Sequence, residues 1–416
     1  MIKVDNALNI ILNDIKTLGK EPVNLTDSLS RVLAEDIYAN SDIPGFDNSA
    51  MDGYALRAQD TKGASKTDPK ILTVIEDLRA GYISRRAINS GQAIRIMTGA
   101  VMPKGSDSVV MVEDTERRGA AGAKIFKAVS RKDNVRKRGE DIKKGEMVIA
   151  KGTRLNSAHI GLLASLGKAK VLAVRKPKVA ILATGDEVVD VGEKLEPGKL
   201  RSSNTYTLHS QVLKCGGIPK NLGIAKDKPD MLETKLKAGF DCDMILTSGG
   251  VSVGDYDLVK FILAKMGTNI RFWKVAMRPG KPLVFGLVSA AKRAGSAMNY
   301  GGKGIPIFGL PGNPVSSMIT FEVFVKPAIL KMEGDNGLAA KDVDAVLEEN
   351  ITKKKGLRYF LRAITRWEDG TYFTRTTGPQ GSGILKSMAL ANSLIVLPEE
   401  EENIEKGVKV KVRFLE

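Results

Sequence analysis

Three segments join glycine to acids or hydroxyls directly after apolar runs. Thr184-Gly185-Asp186-Glu187 follows Val179–Ala183. Glycine permits a close backbone turn there, and paired carboxylates are hard oxygen donors suited to magnesium. The stretch from Thr247 to Asp257, TSGGVSVGDYD, runs from an apolar strand into glycines, hydroxyls and then acids. Its backbone N–H groups could cradle a phosphate at Ser248, Gly249, Gly250 and Ser252, with Asp255 or Asp257 reaching the accompanying cation. It is neither a P-loop nor a dinucleotide fingerprint, because no Gly-Lys-Ser/Thr follows and the glycine spacing differs. Leu310-Pro311-Gly312-Asn313-Pro314-Val315-Ser316-Ser317 puts an N-cap residue and an N1 proline at a strand end. Such a helix start would present free N–H groups, Gly312, Asn313 and Ser316 to an oxyanion. Upstream, Arg278-Pro279-Gly280-Lys281-Pro282, preceded by Lys274, offers cations on a stiff corner. Taken singly, each segment is equally a tight turn or a well-started helix.

Two further loops add polar density. Phe46-Asp47-Asn48-Ser49-Ala50-Met51-Asp52-Gly53-Tyr54 is too rich in acid and amide to be a strand, and Arg95-Ile96-Met97-Thr98-Gly99-Ala100 sets a hydroxyl at a strand end. Asp141 is another exposed acid. His159 and His209 read as ordinary helix residues, and Cys215 and Cys242 as small apolar fillers. No Ser/His/Asp set is visible. Lysine, arginine, hydroxyls and acids without a covalent nucleophile suit phosphate-ester or oxyanion chemistry assisted by a metal.

The elements that must position these groups follow from periodicity. Val4, Ala7, Leu8, Ile11, Leu12, Ile15 and Leu18 share a helical face that Gly19 and Pro22 end, and a second short helix is expected over Ser28–Ala34. Residues 45–140 read as short strands at Ile71–Ile75, Ala93–Met97, Ser108–Val112 and Lys124–Ala128, and helix returns at Ser157–Leu166. From 175 to 330, apolar strands alternate with helices at Asn204–Lys214, Pro229–Lys237, Leu258–Lys265 and Val315–Leu330. That alternation predicts an α/β layer with a mostly parallel sheet, whose ligands bind beyond the carboxyl ends of the strands. The tail is strand-like, with Val408, Val410, Val412 and Phe414 alternating with charged residues. The expected domains are 1–44 with 141–174, an inserted β-rich domain 45–140, an α/β domain 175–330 and a tail 331–416.

The 416 residues carry a formal charge of +16. Between Arg117 and Lys144, eleven Lys/Arg face three acids, so half of that excess lies in 28 residues. Phe126 is the one aromatic there, which leaves no stacking platform for single strands and argues against nucleic acid. A solvated basic surface, or attraction of a small anion, accounts for it better. No run approaches 18 apolar residues, and the opening MIKVDNALNIILNDIK has none of the features of a secretory signal. Two cysteines and two histidines leave little for a disulfide framework or zinc site. A cytoplasmic location, with no membrane partner, is expected.

FDNSAMDGYALR, RIMTGAVMPKGSDSVVMVEDT, NVRKRGEDIKKGE, ATGDEV, TSGGVSVGDYD, RPGKPLVFG and LPGNPVSS, in this order, strongly resemble the molybdopterin molybdenumtransferase family, which includes bacterial MoeA and the gephyrin E domain. The resemblance runs from the first helix to about residue 330. It implies a multidomain α/β fold: an interrupted elongated N-terminal domain, an inserted β-rich domain, a molybdopterin-binding, adenylyltransferase-like domain with a parallel sheet, and a small C-terminal β barrel. It also implies insertion of molybdate into adenylylated molybdopterin with release of AMP, assisted by magnesium, in a homodimer whose cleft is shared between subunits. Contacts with the molybdopterin adenylyltransferase and with acceptor apo-enzymes are implied too. Nearly equal oxyanion sizes leave molybdate and tungstate open.

Carried onto this chain, the family's acids fall at Asp52, Asp141, Glu187, Asp227 and Asp257, its hydroxyl at Thr98, and its basic positions at Lys274, Arg278 and Lys281. Ser316 stands at the oxyanion end, and Arg362 and Ser382 lie in the weakly matching tail. Glu187 and Asp257 are the expected metal ligands. The bacterial pattern often has lysine where Arg278 stands; arginine keeps the charge and adds a fork suited to a tetrahedral oxyanion. A molybdopterin-adenylylating enzyme would account for the α/β segment but not for residues 1–174. A scaffold retaining the fold for protein contacts would not need acids in every motif.

Overall fold

Short alternating runs between residues 45 and 140 make strands because alternate residues are apolar, and here both resulting faces are covered. In the computed structural model, residues 1–119, 121–250, 258–288, 304–335, 337 and 342–415 are described. The chain forms two units, one of Asp36–Ala150 with Gly161–Lys168, the other of Met1–Glu35, Lys151–Ile160 and Ala169–Glu416. In the first, a six-stranded sheet runs in the order 108–111, 53–56, 92–96, 70–78, 122–125 and 115–118. All its pairings are antiparallel except that of 70–78 with 92–96. Tyr54 and Leu56 pack with Leu72, Val110 and Ile125, while Ala55 packs with Leu78, Ile94, Ile96 and Val109. Neighbours in sequence thus serve opposite faces. The polar 46–54 segment is not wholly a loop as expected: Asn48–Ser49 pairs with Val135–Arg136, and Gly53 opens the strand Gly53–Leu56.

In the other unit, the helix Val4–Asp14 buries Val4, Ala7 and Ile11. The expected apolar stripe to Leu18 overshoots. Ile15 is already extended, and Leu18 donates its N–H to Met332 O at 2.8 Å, leading into the strand Lys20–Asn24. The helix expected over Ser28–Ala34 does not form. Its backbone groups are taken by tertiary partners: Leu33 N–H donates to Thr153 O and Leu155 N–H to Arg31 O, while Ser30 adopts a φ of 62°. Those non-local bonds override the local apolar spacing.

The α/β layer is a six-stranded sheet ordered 218–225, 178–184, 244–248, 305–310, 282–288 and 269–274. The first four strands are parallel and the last two antiparallel. Val179, Ile181, Met244 and Leu246 pack against Leu208, Val212, Val315 and Ile319 on one face. Ala180, Leu182 and Ile245 pack against Leu232, Leu236, Val259 and Ile262 on the other. The long helix expected from Val315 is instead Pro314–Thr320, a π-helical turn Phe321–Val325 and Lys326–Glu333. Pro327 has no N–H to continue the ladder, which accounts for the break.

The tail closes into a five-stranded barrel, in the order 358–368, 371–376, 343–347, 409–414 and 393–397, which pairs back onto 358–368. Val410 and Val412 point inward and Lys409 and Lys411 outward, as the period-two pattern predicts. The helix Leu385–Leu390 was not expected. The barrel does not stand apart from the sheet layer. Met277–Arg278 pairs in parallel with Arg358–Tyr359, and Phe360, Met388 and Leu394 join the core formed by Val275, Met277, Leu310 and Val315. Phe360→Ala should therefore destabilise the whole unit by about 3–5 kcal/mol. Denaturant titration checks it; a loss under about 1 kcal/mol would show that barrel and layer do not share this core.

Candidate functional site

Parallel strands deliver the three glycine loops to one edge of the sheet. After Thr184 the chain turns at Gly185, whose φ is 136°. The Glu187 carboxylate folds back over it, so that a Cβ there would lie 2.6–2.7 Å from both oxygens. The Asp186 and Asp227 turns are tied together reciprocally: Asp227 N–H donates to Asp186 Oδ1 at 3.1 Å, and Asp186 N–H to Asp227 Oδ2 at 3.3 Å. Asp186, Glu187 and Asp227 are all exposed. The structure thus gathers two of the expected acids, Glu187 and Asp227, at the ends of two adjacent parallel strands. Among the described residues, no three acids, histidines or cysteines stand close enough to hold a metal ion by themselves. Asp257 and Ser252 lie outside the described residues.

Ser248, Gly249 and Gly250 continue the neighbouring strand. At Gly249, with φ 95°, a Cβ would sit 2.6 Å from Thr184 O, so only glycine lets the two strand ends approach this closely. Asn204, which sequence reasoning missed, ties this loop to the next. Its Nδ2 donates at 2.7 Å to Ser248 Oγ and at 2.7 Å to Gly312 O. The signal was available: Asn204 lies on the buried stripe of its helix with Leu208 and Val212, and a short amide on such a stripe needs polar partners. Asn204 Oδ1, Thr247 Oγ1 and Ser317 Oγ are buried with no protein partner. Gly312 and Asn313 are exposed at the loop tip.

The cationic corner lies against the helix Pro314–Thr320. Gly280 is buried against Thr320 Oγ1, which donates to Ser316 O at 2.6 Å. Val275 N–H donates to Lys281 O at 3.0 Å, and Lys274 pairs with Pro282 across the hairpin. Arg278 and Lys281 are exposed, and neither the Lys274 nor the Lys281 ammonium has a protein partner among the described residues. Ser316 is 4% exposed.

One expectation needs correction here. The helix start does not project all of its N–H groups, because Val315 N–H donates to Ser382 O at 3.2 Å, and the Asn313 side chain forms no cap. The tail loop reaches this far because Arg362 pins it. Arg362 is fully buried; its Nε donates to Ser387 Oγ at 2.7 Å and its Nη2 to Pro379 O at 2.9 Å. Burial without a carboxylate lowers its pKa, and Nη1 is left without a protein partner. Ser382 therefore meets the oxyanion end through its carbonyl, with Arg362 as the anchor of its loop.

In the other unit, Asp52 and Thr98 meet as a pair. Asp52 Oδ1 accepts the Thr98 N–H at 2.7 Å and its hydroxyl at 2.8 Å. These donors hold the Asp52 carboxyl below the usual carboxylate range, Thr98 N–H first. Asp141 is exposed, and its N–H donates to Ile43 O at 3.1 Å.

Three family profiles cover most of the chain: the MoeA N-terminal region, domains I and II, at residues 2–167; a probable molybdopterin binding domain at 180–331; and the MoeA C-terminal region, domain IV, at 344–415. The chain belongs to the molybdopterin molybdenumtransferase family. The Bacillus subtilis molybdopterin molybdenumtransferase is 39% identical, with 100% of this chain and 94% of that protein covered. That of Haemophilus influenzae is 34% identical, with 99% and 98% covered. A crystal structure of the molybdopterin biosynthesis moeA protein from Pyrococcus horikoshii superposes with a TM-score of 0.82 at 32% identity, covering 100% of both chains. Membership makes the chain a transferase of molybdenum cofactor biosynthesis.

The Asp52–Thr98 pair gives a direct test of the site's electrostatics. Thr98→Val removes the hydroxyl donor, which favours the charged form, so the Asp52 pKa should rise toward the ordinary carboxylate range. A carboxyl-carbon NMR titration reads it. In the native protein this depressed pKa adds stability above the unfolded pKa, and that contribution is lost as pH falls through the folded pKa. An unchanged titration in Thr98→Val would show that the amide alone sets the charge.

Proposed function

We propose that this chain inserts molybdate into adenylylated molybdopterin and releases AMP, with magnesium assisting. The observation that carries the reading is the arrangement at one sheet edge. Exposed acids end two adjacent strands, a glycine loop and a helix start tied by Asn204 end the next two, and lysines without a partner among the described residues stand on the adjoining corner. In this reading Lys281, Arg278, Lys274 and Ser316 hold the oxyanion, while Ser248, Gly249, Gly250, Ser252, Gly312 and Asn313 receive the pterin and its phosphates. Arg362 and Ser382 hold the tail against that end. No protein nucleophile is needed if water or a molybdate oxygen attacks the adenylyl phosphorus. When water attacks, a new P–O bond forms while the bond to the pterin phosphate breaks, and AMP leaves directly. When a molybdate oxygen attacks, the adenylyl group passes to molybdate, and AMP leaves with that oxygen once a thiolate breaks its bond to molybdenum. Any other oxygen ligand displaced by a thiolate departs protonated, as water or hydroxide.

The donor set fits magnesium, which is held by one or two carboxylates together with phosphate oxygens and water. Glu187 is an exposed carboxylate with no protein partner among the described residues, and Asp186 and Asp227 stand beside it. Glu187 would hold the ion, with Asp257 as its family counterpart, and the ion would neutralise phosphate charge. The family resemblance further supports a homodimer in which Asp52, Thr98 and Asp141 of one subunit complete the site of the other. The same oxyanion charges would admit tungstate.

The decisive experiment incubates the protein with adenylylated molybdopterin, magnesium and either oxyanion, following AMP release and activation of an acceptor apo-enzyme. Oxyanion-dependent AMP release is expected; its absence overturns the reading. Glu187→Ala should abolish the magnesium dependence. Losing a charged hydrogen bond costs about 1.5–3 kcal/mol, so Lys281→Ala should raise the half-saturating molybdate concentration roughly 10- to 150-fold. Equal loss of pterin and molybdate affinity would instead place Lys281 at the pterin phosphate. Mixed Asp52→Ala and Lys281→Ala subunits should regain activity if the site is shared.

A further inference from the structure

We infer that Tyr359, in the C-terminal barrel, is the positioning residue that fixes the plane of the Arg278 guanidinium for oxyanion binding; this rests on the proposed role of Arg278. Met277–Arg278 runs parallel to Arg358–Tyr359, with Arg278 paired in register to Tyr359 and Arg358 N–H donating to Ala276 O at 2.9 Å. The guanidinium carbon lies 5.6 Å from the Tyr359 ring centroid, and Nη1 is 3.5 Å from the phenolic oxygen. Arg278 is exposed, whereas Tyr359 is 6% exposed. An exposed side chain is therefore set against a buried one.

The ring is fixed from several sides. Its oxygen accepts the Lys354 N–H at 3.3 Å, and the buried Lys353 ammonium stands 5.2 Å from its centroid. Lys353 is held in turn by Leu357 O at 3.0 Å and Glu399 O at 3.4 Å. Among the described residues, Arg278 has no acidic partner, and its guanidinium contacts the Tyr359 ring and phenolic oxygen. A guanidinium has five N–H donors, and one of them reaches Tyr359, which leaves a fork for a tetrahedral oxyanion. Holding that fork in advance spares rotamer entropy when the oxyanion binds. A lysine at 278 has no planar face to lay on the ring.

The test is equilibrium dialysis of molybdate against the full-length protein and its variants, with melting curves to report folding. Tyr359→Leu should weaken molybdate binding about 3- to 30-fold, the range of a cation–π contact between exposed and desolvated settings. Tyr359→Phe keeps the ring and should fall between wild type and Tyr359→Leu. Arg278→Lys should weaken binding by a similar factor in the wild type and add little in the Tyr359→Leu background. If Arg278→Ala binds molybdate like the wild type, or the wild type binds none, the oxyanion reading of Arg278 fails and the inference with it. If Arg278→Ala weakens binding while Tyr359→Leu does not, or if the Tyr359→Leu and Arg278→Lys losses simply multiply, the inference alone is overturned. Should Tyr359→Leu not fold, Arg278→Lys decides: full molybdate affinity in that variant would show that a planar, stacked cation plays no part.

Discussion

The parallel register of strands 178–184, 244–248 and 305–310 decides where the site can be. Val179 pairs with Met244 and Ala183 with Ser248, while Ser248 pairs with Leu310. Strands matched in this way end together, and the chain must leave all three at one edge. Thr184, Ser248 and Leu310 are therefore neighbours although more than a hundred residues separate the first from the last. Glycine at 249 follows from this convergence, since a side chain there would collide with the Thr184 backbone, while Gly185 is required by its φ of 136°. Asn204 follows as well. Three adjacent strand ends expose carbonyls and hydroxyls that need a buried donor, and its amide bridges two of the loops.

Charge is distributed over this edge with little compensation. Several arginines elsewhere in the unit are paired with acids: Arg154 with Glu333 and Asp335, Arg358 with Asp5 and Glu399, and Arg413 with Asp342. At the corner, Lys274, Arg278 and Lys281 lack such partners among the described residues, and Glu187, at another strand end of the same edge, lacks an ion-pair partner there too. Under the proposed reading, these charges would meet a phosphate ester with its magnesium, accompanied by molybdate.

The loops were legible in the sequence because each follows an apolar run and each breaks its period with glycine or proline. The strand–helix alternation from 175 to 330 was legible for the same reason, and the tail strand at 409–414 through its period of two. What could not be read was whatever depends on distant partners. Ser28–Ala34 has helical spacing, but its backbone is claimed by 153–155, so local pattern lost to tertiary pairing. Asp52 and Thr98 were picked separately; only the sheet made them a hydrogen-bonded pair. The helix start at Asn313-Pro314 was read correctly, whereas the Ser382 carbonyl on Val315 N–H came from a loop about seventy residues away that carries no signal of its destination.

The barrel has a physical reason to be part of this chain. The corner Arg278–Lys281 does not leave a parallel strand. It joins the antiparallel strands 269–274, at the sheet edge, and 282–288, where no crossover helix holds the connection against the layer. Left alone, such a loop would spread its cations over many conformations, and any ligand binding them would lose affinity by the fraction of time spent elsewhere. Pairing Met277–Arg278 with Arg358–Tyr359 converts the loop into strand, and Phe360, two residues after Arg358, anchors that strand in the core shared with the sheet. The same barrel sends Ser382 to the helix start on the other side of the corner. Two contacts from one rigid barrel thus bracket the cations, and the barrel's fold is what keeps the corner in one place.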